Sequence, residues 1–239
     1  LVGSSQTRND TTQNQSVFML QGALVIFALI AFLFSRHIHY YAAEMRPYAI
    51  WNAMYMLTLA VGILRPNAVG ILSGAMTLLA FSATASIFQI LLLGLAYWCV
   101  HALEEGCKKA LITALKVFIV PVSVSLFYCL RVSHWEMVDA GSTWNDFLDV
   151  WINKATNIPL MLTVIVFSLA KKETRMTAIV PLGYLLLFLT GPLIFQFTQS
   201  RGYFYSERQY GYYDLGTAVF LLSAVRLIPC YLKPGLSKQ

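Results

Sequence analysis

The sequence predicts an all-α, polytopic integral membrane protein: a helical bundle of about seven transmembrane helices, with the N-terminus outside and the C-terminus inside. Its residues are 58% hydrophobic and only 12% charged, whereas soluble domains carry about 25% charged residues. From Pro66 to Val100 there is no Asp, Glu, Lys, Arg or His. Lipid offers the backbone no hydrogen-bond partner, so spanning segments must be helices or closed barrels, and uninterrupted apolar runs favour helices.

Seven apolar runs approach the roughly 20 residues that a helix needs to cross a bilayer. The predicted spans are, in chain order, 17–35, 48–64, 70–98, 110–130, 155–170, 177–197 and 214–232. They form one transmembrane domain over 17–232, with an outer loop at 131–154. A polar, flexible tail is predicted at 1–16 and a short inner tail at 233–239.

The third span is the one whose length does not fit. At a rise of about 1.5 Å per residue, its charge-free run exceeds a bilayer and must tilt, kink or extend beyond the lipid. The small residues from Ser82 to Ser86 suit either a helix-packing face or a hidden turn. A turn would reverse the orientation of every later span.

The positions of Lys and Arg give the orientation, because short loops rich in these residues stay on the inner side. The predicted inner side carries Arg36, Arg46, Lys108, Lys109, Lys116, Lys171, Lys172, Arg175, Lys233 and Lys238. The predicted outer side carries Arg8, Arg65, Arg131, Lys154, Arg201 and Arg208, together with most of the Asp residues. The cations are scattered among short loops rather than gathered in a stripe, which argues against a nucleic-acid partner.

Residues with catalytic or metal-binding chemistry are few. The four cysteines fall at no zinc or CxxC spacing. His37 and His39 could chelate a metal, but they directly follow the first span, where His and Tyr commonly lie at the headgroup level. Arg226 and Lys116 lie near span ends, where their side chains can reach water. Asp and Glu are almost absent from the predicted spans. The spans thus lack the buried carboxylates that a self-sufficient ion pump would need.

Aromatic and acidic residues concentrate in the predicted outer loop, where Trp135, Glu136, Trp144 and Trp151 are candidate contact residues. Trp144, Phe147, Leu148 and Trp151 recur at helical spacing, which predicts a short amphipathic helix over 144–152. Such a helix would lie on the membrane surface or under a protein partner.

The polar segment that ends the charge-free stretch carries a motif. Residues 98–111 read W-C-V-H-A-L-E-E-G-C-K-K-A-L. This segment resembles the matrix-side turn of subunit III of the haem-copper cytochrome oxidases, whose pattern is approximately W-A-H-H-A-L-x-E-G-x-R-K-x-x-L. The residues that carry the resemblance are Trp98, His101, Leu103, Glu105, Gly106, Lys108 and Lys109.

The resemblance implies a non-catalytic structural subunit of a membrane respiratory complex. Subunit III packs against the catalytic subunit I, binds phospholipid between its helix bundles and holds no redox centre. This chain is therefore expected to bind no cofactor of its own, to take a structural phospholipid, and to lie in a mitochondrial inner membrane or a bacterial plasma membrane. One departure is that the buried Glu of the family has no counterpart in 48–64, which offers only Asn52.

Two other functions fit the same sequence. A seven-helix receptor or sensor domain would use polar groups within the spans, such as Asn52, Tyr55, Thr84 and Gln89, to hold a ligand. A small integral-membrane acyltransferase-type enzyme would use His134 and Asp139, which form an HxxxxD spacing.

Overall fold

The structure is a computed structural model that describes residues 4–33, 47–83, 85–132, 143–200, 213 and 215–232. All regular structure in these residues is helical. The helices are α1 (Ser4–Leu33), α2 (Pro47–Leu64), α3 (Val69–Ser82), α4 (Ser86–Glu105), α5 (Cys107–Val132), α6 (Trp144–Lys154), α7 (Asn157–Ala170), a 3₁₀ segment (Lys172–Ala178), α8 (Ile179–Ser200) and α9 (Gly216–Leu232). The all-α prediction is confirmed for these residues.

Four of these segments are long and apolar enough to cross a membrane: Ser16–Leu33, Ser86–Glu105, Cys107–Leu130 and Lys172–Gln199. The α6–α7 pair, bent by 49°, makes a fifth if it counts as one span. Shorter apolar helices occupy Ile50–Leu64, Val69–Ser82 and Gly216–Leu232. The described residues therefore belong to a polytopic membrane bundle with four or five candidate spans by length and composition. The count of seven stays a prediction.

The predicted flexible tail at 1–16 is helical from Ser4 onward, as part of α1. No Gly or Pro interrupts residues 4–16. Extending an existing helix adds one hydrogen bond per ordered residue without a new nucleation step. The apolar helix that follows can therefore propagate into the polar residues before it.

The predicted third span at 70–98 is wrong as a single helix. Helix α3 ends at Ser82, Ala83 is extended (φ −162°, ψ 145°), and α4 begins at Ser86. The Ser82 hydroxyl donates to the Leu79 carbonyl at 2.7 Å, and the Ser86 hydroxyl donates to the Ala83 carbonyl at 2.6 Å. The Ser86 amide also donates to the Ala83 carbonyl, at 3.2 Å. The two serines therefore supply hydrogen bonds to backbone carbonyls where the helix is interrupted.

The break between α3 and α4 reverses the chain. Gly62 of α2 lies against both Leu72 of α3 and Val180 of α8. One helical turn beyond Val180, Gly183 of α8 lies against Leu93 of α4. Leu72 and Leu93 are therefore at a similar height in the bundle, whereas a continuous helix would separate them by about 30 Å. Helices α3 and α4 run antiparallel, as the alternative of a hidden turn predicted.

Helix α4 occupies the centre of the bundle and makes its main contacts with α5 and α8. The two backbones lie close together at Gly183 of α8, where an added Cβ would lie 3.2 Å from the Leu93 Cα. Helix α3 packs on α2 and α5, while α1 packs mainly on α9. Small residues at such crossings let helices approach closely, which is the main source of attraction between helices in lipid.

Two prolines inside helices create long-range ties. Pro192 in α8 cannot donate to the Phe188 carbonyl, which instead accepts from Trp151 Nε1 of α6 at 2.8 Å. Pro229 in α9 likewise leaves the Val225 carbonyl free, and Gln21 Nε2 of α1 donates to it at 2.9 Å. Each freed carbonyl thus fixes a neighbouring helix.

Candidate functional site

The segment with the family resemblance forms a tight helical hairpin between α4 and α5. Gly106 connects the two helices with φ at +79°, a value that L side chains rarely adopt. Its amide donates to the Ala102 carbonyl at 3.2 Å, and its carbonyl accepts from the Ala110 amide at 3.0 Å. The glycine therefore ends α4 and starts α5 without a longer loop.

A row of polar side chains, which we call the hairpin cluster (His101, Glu105, Lys109 and Thr113), joins the two helices. The Glu105 carboxylate lies 3.3 Å from His101 Nδ1 and 3.2 Å from Lys109 Nζ. It also accepts from the Thr113 hydroxyl at 3.1 Å. One carboxylate thus has partners on both helices.

Aromatic residues complete this hairpin. The Tyr97 ring packs against the His101 ring at a tilt of 31°, with the ring centroids 4.3 Å apart, and Trp98 Nε1 donates to the Cys107 carbonyl at 3.1 Å. Of the remaining predicted residues, Leu103 is 62% exposed and Lys108 is exposed on α5. The hairpin therefore brings together Trp98, His101, Glu105 and Lys109, but not Leu103 or Lys108.

A second polar cluster, the core node (Asn157, Tyr184 and Tyr213), joins α7, α8 and the residues before α9. Asn157 Nδ2 donates to the Tyr213 carbonyl at 3.2 Å and lies 3.4 Å from the Tyr184 hydroxyl. The Tyr184 hydroxyl also donates to the Tyr213 carbonyl. Sequence reasoning missed this node; the available signal was an Asn directly before the apolar run at 158–170.

The predicted amphipathic helix is confirmed as α6, over Trp144–Lys154. Thr143 and Asp146 form a reciprocal capping box at its start. Its apolar face lies against α8: Phe147 stacks on Phe195 with the centroids 4.6 Å apart, and Trp151 stacks on Phe188 at 5.0 Å. The chain's own helix covers the face that was expected to meet lipid or a partner.

Trp144 also contacts Phe195, with the ring centroids 5.3 Å apart, and is 43% exposed. The other two predicted outer-loop contacts, Trp135 and Glu136, lie outside the described residues.

The residues proposed for a receptor site are buried in α2 and α4. Trp51 Nε1 donates to Gln89 Oε1 at 2.9 Å, and Tyr55 is 2% exposed. Asn52 is 1% exposed, and neither of its side-chain polar atoms has a hydrogen-bond partner in the described part of the chain, nor does Gln89 Nε2. Thr84 lies outside the described residues.

One end of the bundle gathers cations. Arg226 Nη1 lies 3.2 Å from the Ile63 carbonyl at the end of α2, and Lys171 Nζ lies 2.7 Å from the Cys230 carbonyl at the end of α9. Lys171 also sits 4.0 Å from the centroid of the Tyr231 ring. These cations satisfy carbonyls at helix C-termini, where the backbone dipole favours positive charge.

This basic end also includes Arg65, which follows the carbonyls bound by Arg226. The prediction placed Arg65 on the side opposite Lys171, and the structure places both at the same end. The reversal between α3 and α4 is the reason, because it adds one change of direction that the seven-span scheme lacked.

The other candidate residues from the sequence are not brought into a site. His37, His39, His134 and Asp139 lie outside the described residues. Among the described residues, no three His, Cys, Asp or Glu side chains are grouped to hold a metal, and no disulfide links Cys99, Cys107, Cys129 or Cys230.

No protein-family model matches this chain, and it matches no curated protein and no solved structure.

Proposed function

We propose that this protein is a non-catalytic scaffold subunit of a membrane complex, of the kind that subunit III represents in the haem-copper oxidases. The observation that carries the proposal is that the residues shared with the subunit III turn contact one another. Glu105 interacts with His101 on α4 and with Lys109 and Thr113 on α5. Trp98 secures the same turn through the Cys107 carbonyl. These contacts suit a role in ordering a helical surface for a partner.

Under this proposal the partner is a larger catalytic subunit, and phospholipid fills the contacts between helices. The basic end, with Lys108, Lys109, Lys171, Lys172 and Arg175, faces the inner side, because basic segments are retained there. A mitochondrial inner membrane is the proposed location, with a bacterial plasma membrane as the alternative.

The test is gentle detergent extraction, native-gel separation and mass spectrometry of the band that contains the full chain, with a reduced-minus-oxidised haem spectrum. Co-migration with a large catalytic subunit and haem a is expected. A matched pair of variants sharpens the test: Glu105→Gln weakens the hairpin cluster, whereas Glu104→Gln removes the same charge from the exposed neighbour. Only Glu105→Gln should reduce co-migration. A solitary, haem-free band would contradict the proposal.

A second candidate, a receptor or sensor domain, is favoured by one observation. Asn52 Nδ2 and Oδ1 and Gln89 Nε2 are buried without partners among the described residues, and leaving such groups unpaired costs about 1–3 kcal/mol each. A polar ligand would recover part of that energy. The test is the thermal unfolding of Asn52→Leu: a rise in midpoint together with loss of stabilisation by a polar-metabolite panel supports this candidate, and an unresponsive wild type contradicts it.

A further inference from the structure

We propose that the outer face of α5 is a binding site for one anionic phospholipid at the basic end of the bundle. This inference rests on the part of the proposed function that includes bound phospholipid, and it specifies where one such lipid binds. It requires only that the bundle lies in a membrane. The site has two parts: a headgroup part formed by Lys108, Lys109 and Lys116, and an acyl-chain part formed by the exposed apolar residues below them.

The three lysines share one exposed side of α5. Lys109 and Lys116 are seven residues apart, so they lie on the same helix face, and Lys108 flanks them. Lys116 lies about 13 Å along the helix from its start. Helical side chains point toward the helix N-terminus, so its ammonium group can reach toward Lys108 and Lys109.

Two of these lysines are available to a ligand. Lys109 contacts Glu105 at 3.2 Å, whereas Lys108 and Lys116 have no partner in the described part of the chain. Near a span end, such an ammonium group can reach water or an anionic headgroup, and the headgroup adds a favourable charge interaction.

The exposed face of α5 on this side is mostly apolar, with Ser123 as its polar member. Ile112, between Lys109 and Lys116, and Ile119 and Val120, below Lys116, share the helix face of Lys116 and are between 49% and 58% exposed. Two unpaired lysines at one end of a mostly apolar face match a phosphate joined to acyl chains, and the presence of two cations favours a lipid phosphate over a single carboxylate on a partner helix.

The experiment is native mass spectrometry of the full chain in detergent with added phosphatidylglycerol or phosphatidylcholine of identical chains. Wild type should bind phosphatidylglycerol at about tenfold lower concentration than phosphatidylcholine. The variant Lys108→Gln/Lys116→Gln should lose that preference. The control Lys172→Gln/Arg175→Gln removes the same charge at the same end of the bundle, away from α5, and should keep it.

Equal binding of both lipids by wild type would overturn the site, as would an equal loss in the control, which would indicate diffuse surface charge. Displacement of bound phosphatidylglycerol by inorganic phosphate alone would reduce the site to an anion site and overturn the acyl-chain part. An unchanged preference for phosphatidylglycerol in the lysine variant would also overturn the site. The experiment uses the isolated chain and needs no partner subunit. Its result therefore tests the lipid site even if the scaffold proposal is wrong.

Discussion

The hairpin cluster and the core node are both small polar networks between helices, but they differ in how far along the chain their members lie. In the hairpin cluster, Glu105 binds residues four to eight positions away. In the core node, Asn157 and its partners are 27 to 56 positions apart. The hairpin cluster can form as soon as the chain turns at Gly106, because its residues are close in sequence. The core node can form only after three distant chain segments have packed together.

Each cluster depends on one glycine, for a different physical reason. Gly106 is required for its backbone angle, since φ is +79° and no atom lies within 4 Å of an added Cβ. Gly216 is required for space, since an added Cβ would lie 2.5 Å from Asn157 Cγ. The need for glycine at Gly106 can be inferred from the sequence, because charged residues interrupt an apolar run there. The need for space at Gly216 cannot, because it depends on where Asn157 lies in the fold.

The largest effect is expected from Gly216→Ala. The new methyl group would clash with Asn157, so the free energy of unfolding should fall by roughly 2–3 kcal/mol. Thermal or denaturant unfolding in detergent would measure it. Gly74→Ala is the matched control, because a Cβ there meets nothing within 4 Å.

The same clash gives a stricter test through a double variant. Gly216→Ala/Asn157→Ala should be less destabilised than the sum of the two single variants, because the smaller side chain removes the clash. Strict additivity would contradict the steric account of the core node.

Gly106→Ala should lower the free energy of unfolding by about 1–2 kcal/mol through backbone strain. The comparison predicts that no side-chain truncation rescues it, since no side chain is in the way. Rescue by a second-site truncation would show that space, rather than the backbone angle, is decisive at this turn as well.

The proline-linked tie between α6 and α8 should contribute about 1 kcal/mol. Trp151→Phe removes the indole donor to the Phe188 carbonyl. In a Pro192→Ala background the helix amide can take that carbonyl, so the same Trp151→Phe change should be less destabilising. A double-mutant cycle on unfolding free energies measures this coupling, and a coupling near zero would contradict the assigned role of Trp151.

The reversal between α3 and α4 can be tested with little effect on stability. In a background with the other cysteines replaced by alanine, retained Cys107 and an introduced Ala85→Cys lie at opposite ends of α4. A membrane-impermeant maleimide should label them from opposite sides of sealed vesicles. Absence of labelling at position 85 from either side would support the single long span.

Much of the helical framework was predictable because it follows from local composition. The runs at 110–130 and 177–197 became α5 and α8, and the Trp144 pattern became α6. The turn at Gly106 was predictable as well, since charged residues and a glycine end an apolar run there. The turn near Ala83 was only one of two alternatives, because small residues serve equally for close packing and for a break.

The sequence by itself determined the class of protein, the positions of most helices and the polar hairpin at Gly106, because each depends on residues close together in the chain and on the cost of unpaired backbone groups in lipid. The tertiary structure decided the direction of α4 relative to α3, the covering of α6 by α8, the space left at Gly216 and the use of the Phe188 and Val225 carbonyls. These features depend on contacts between distant residues, and no local pattern records which distant side chain will fill a given space or reach a given carbonyl.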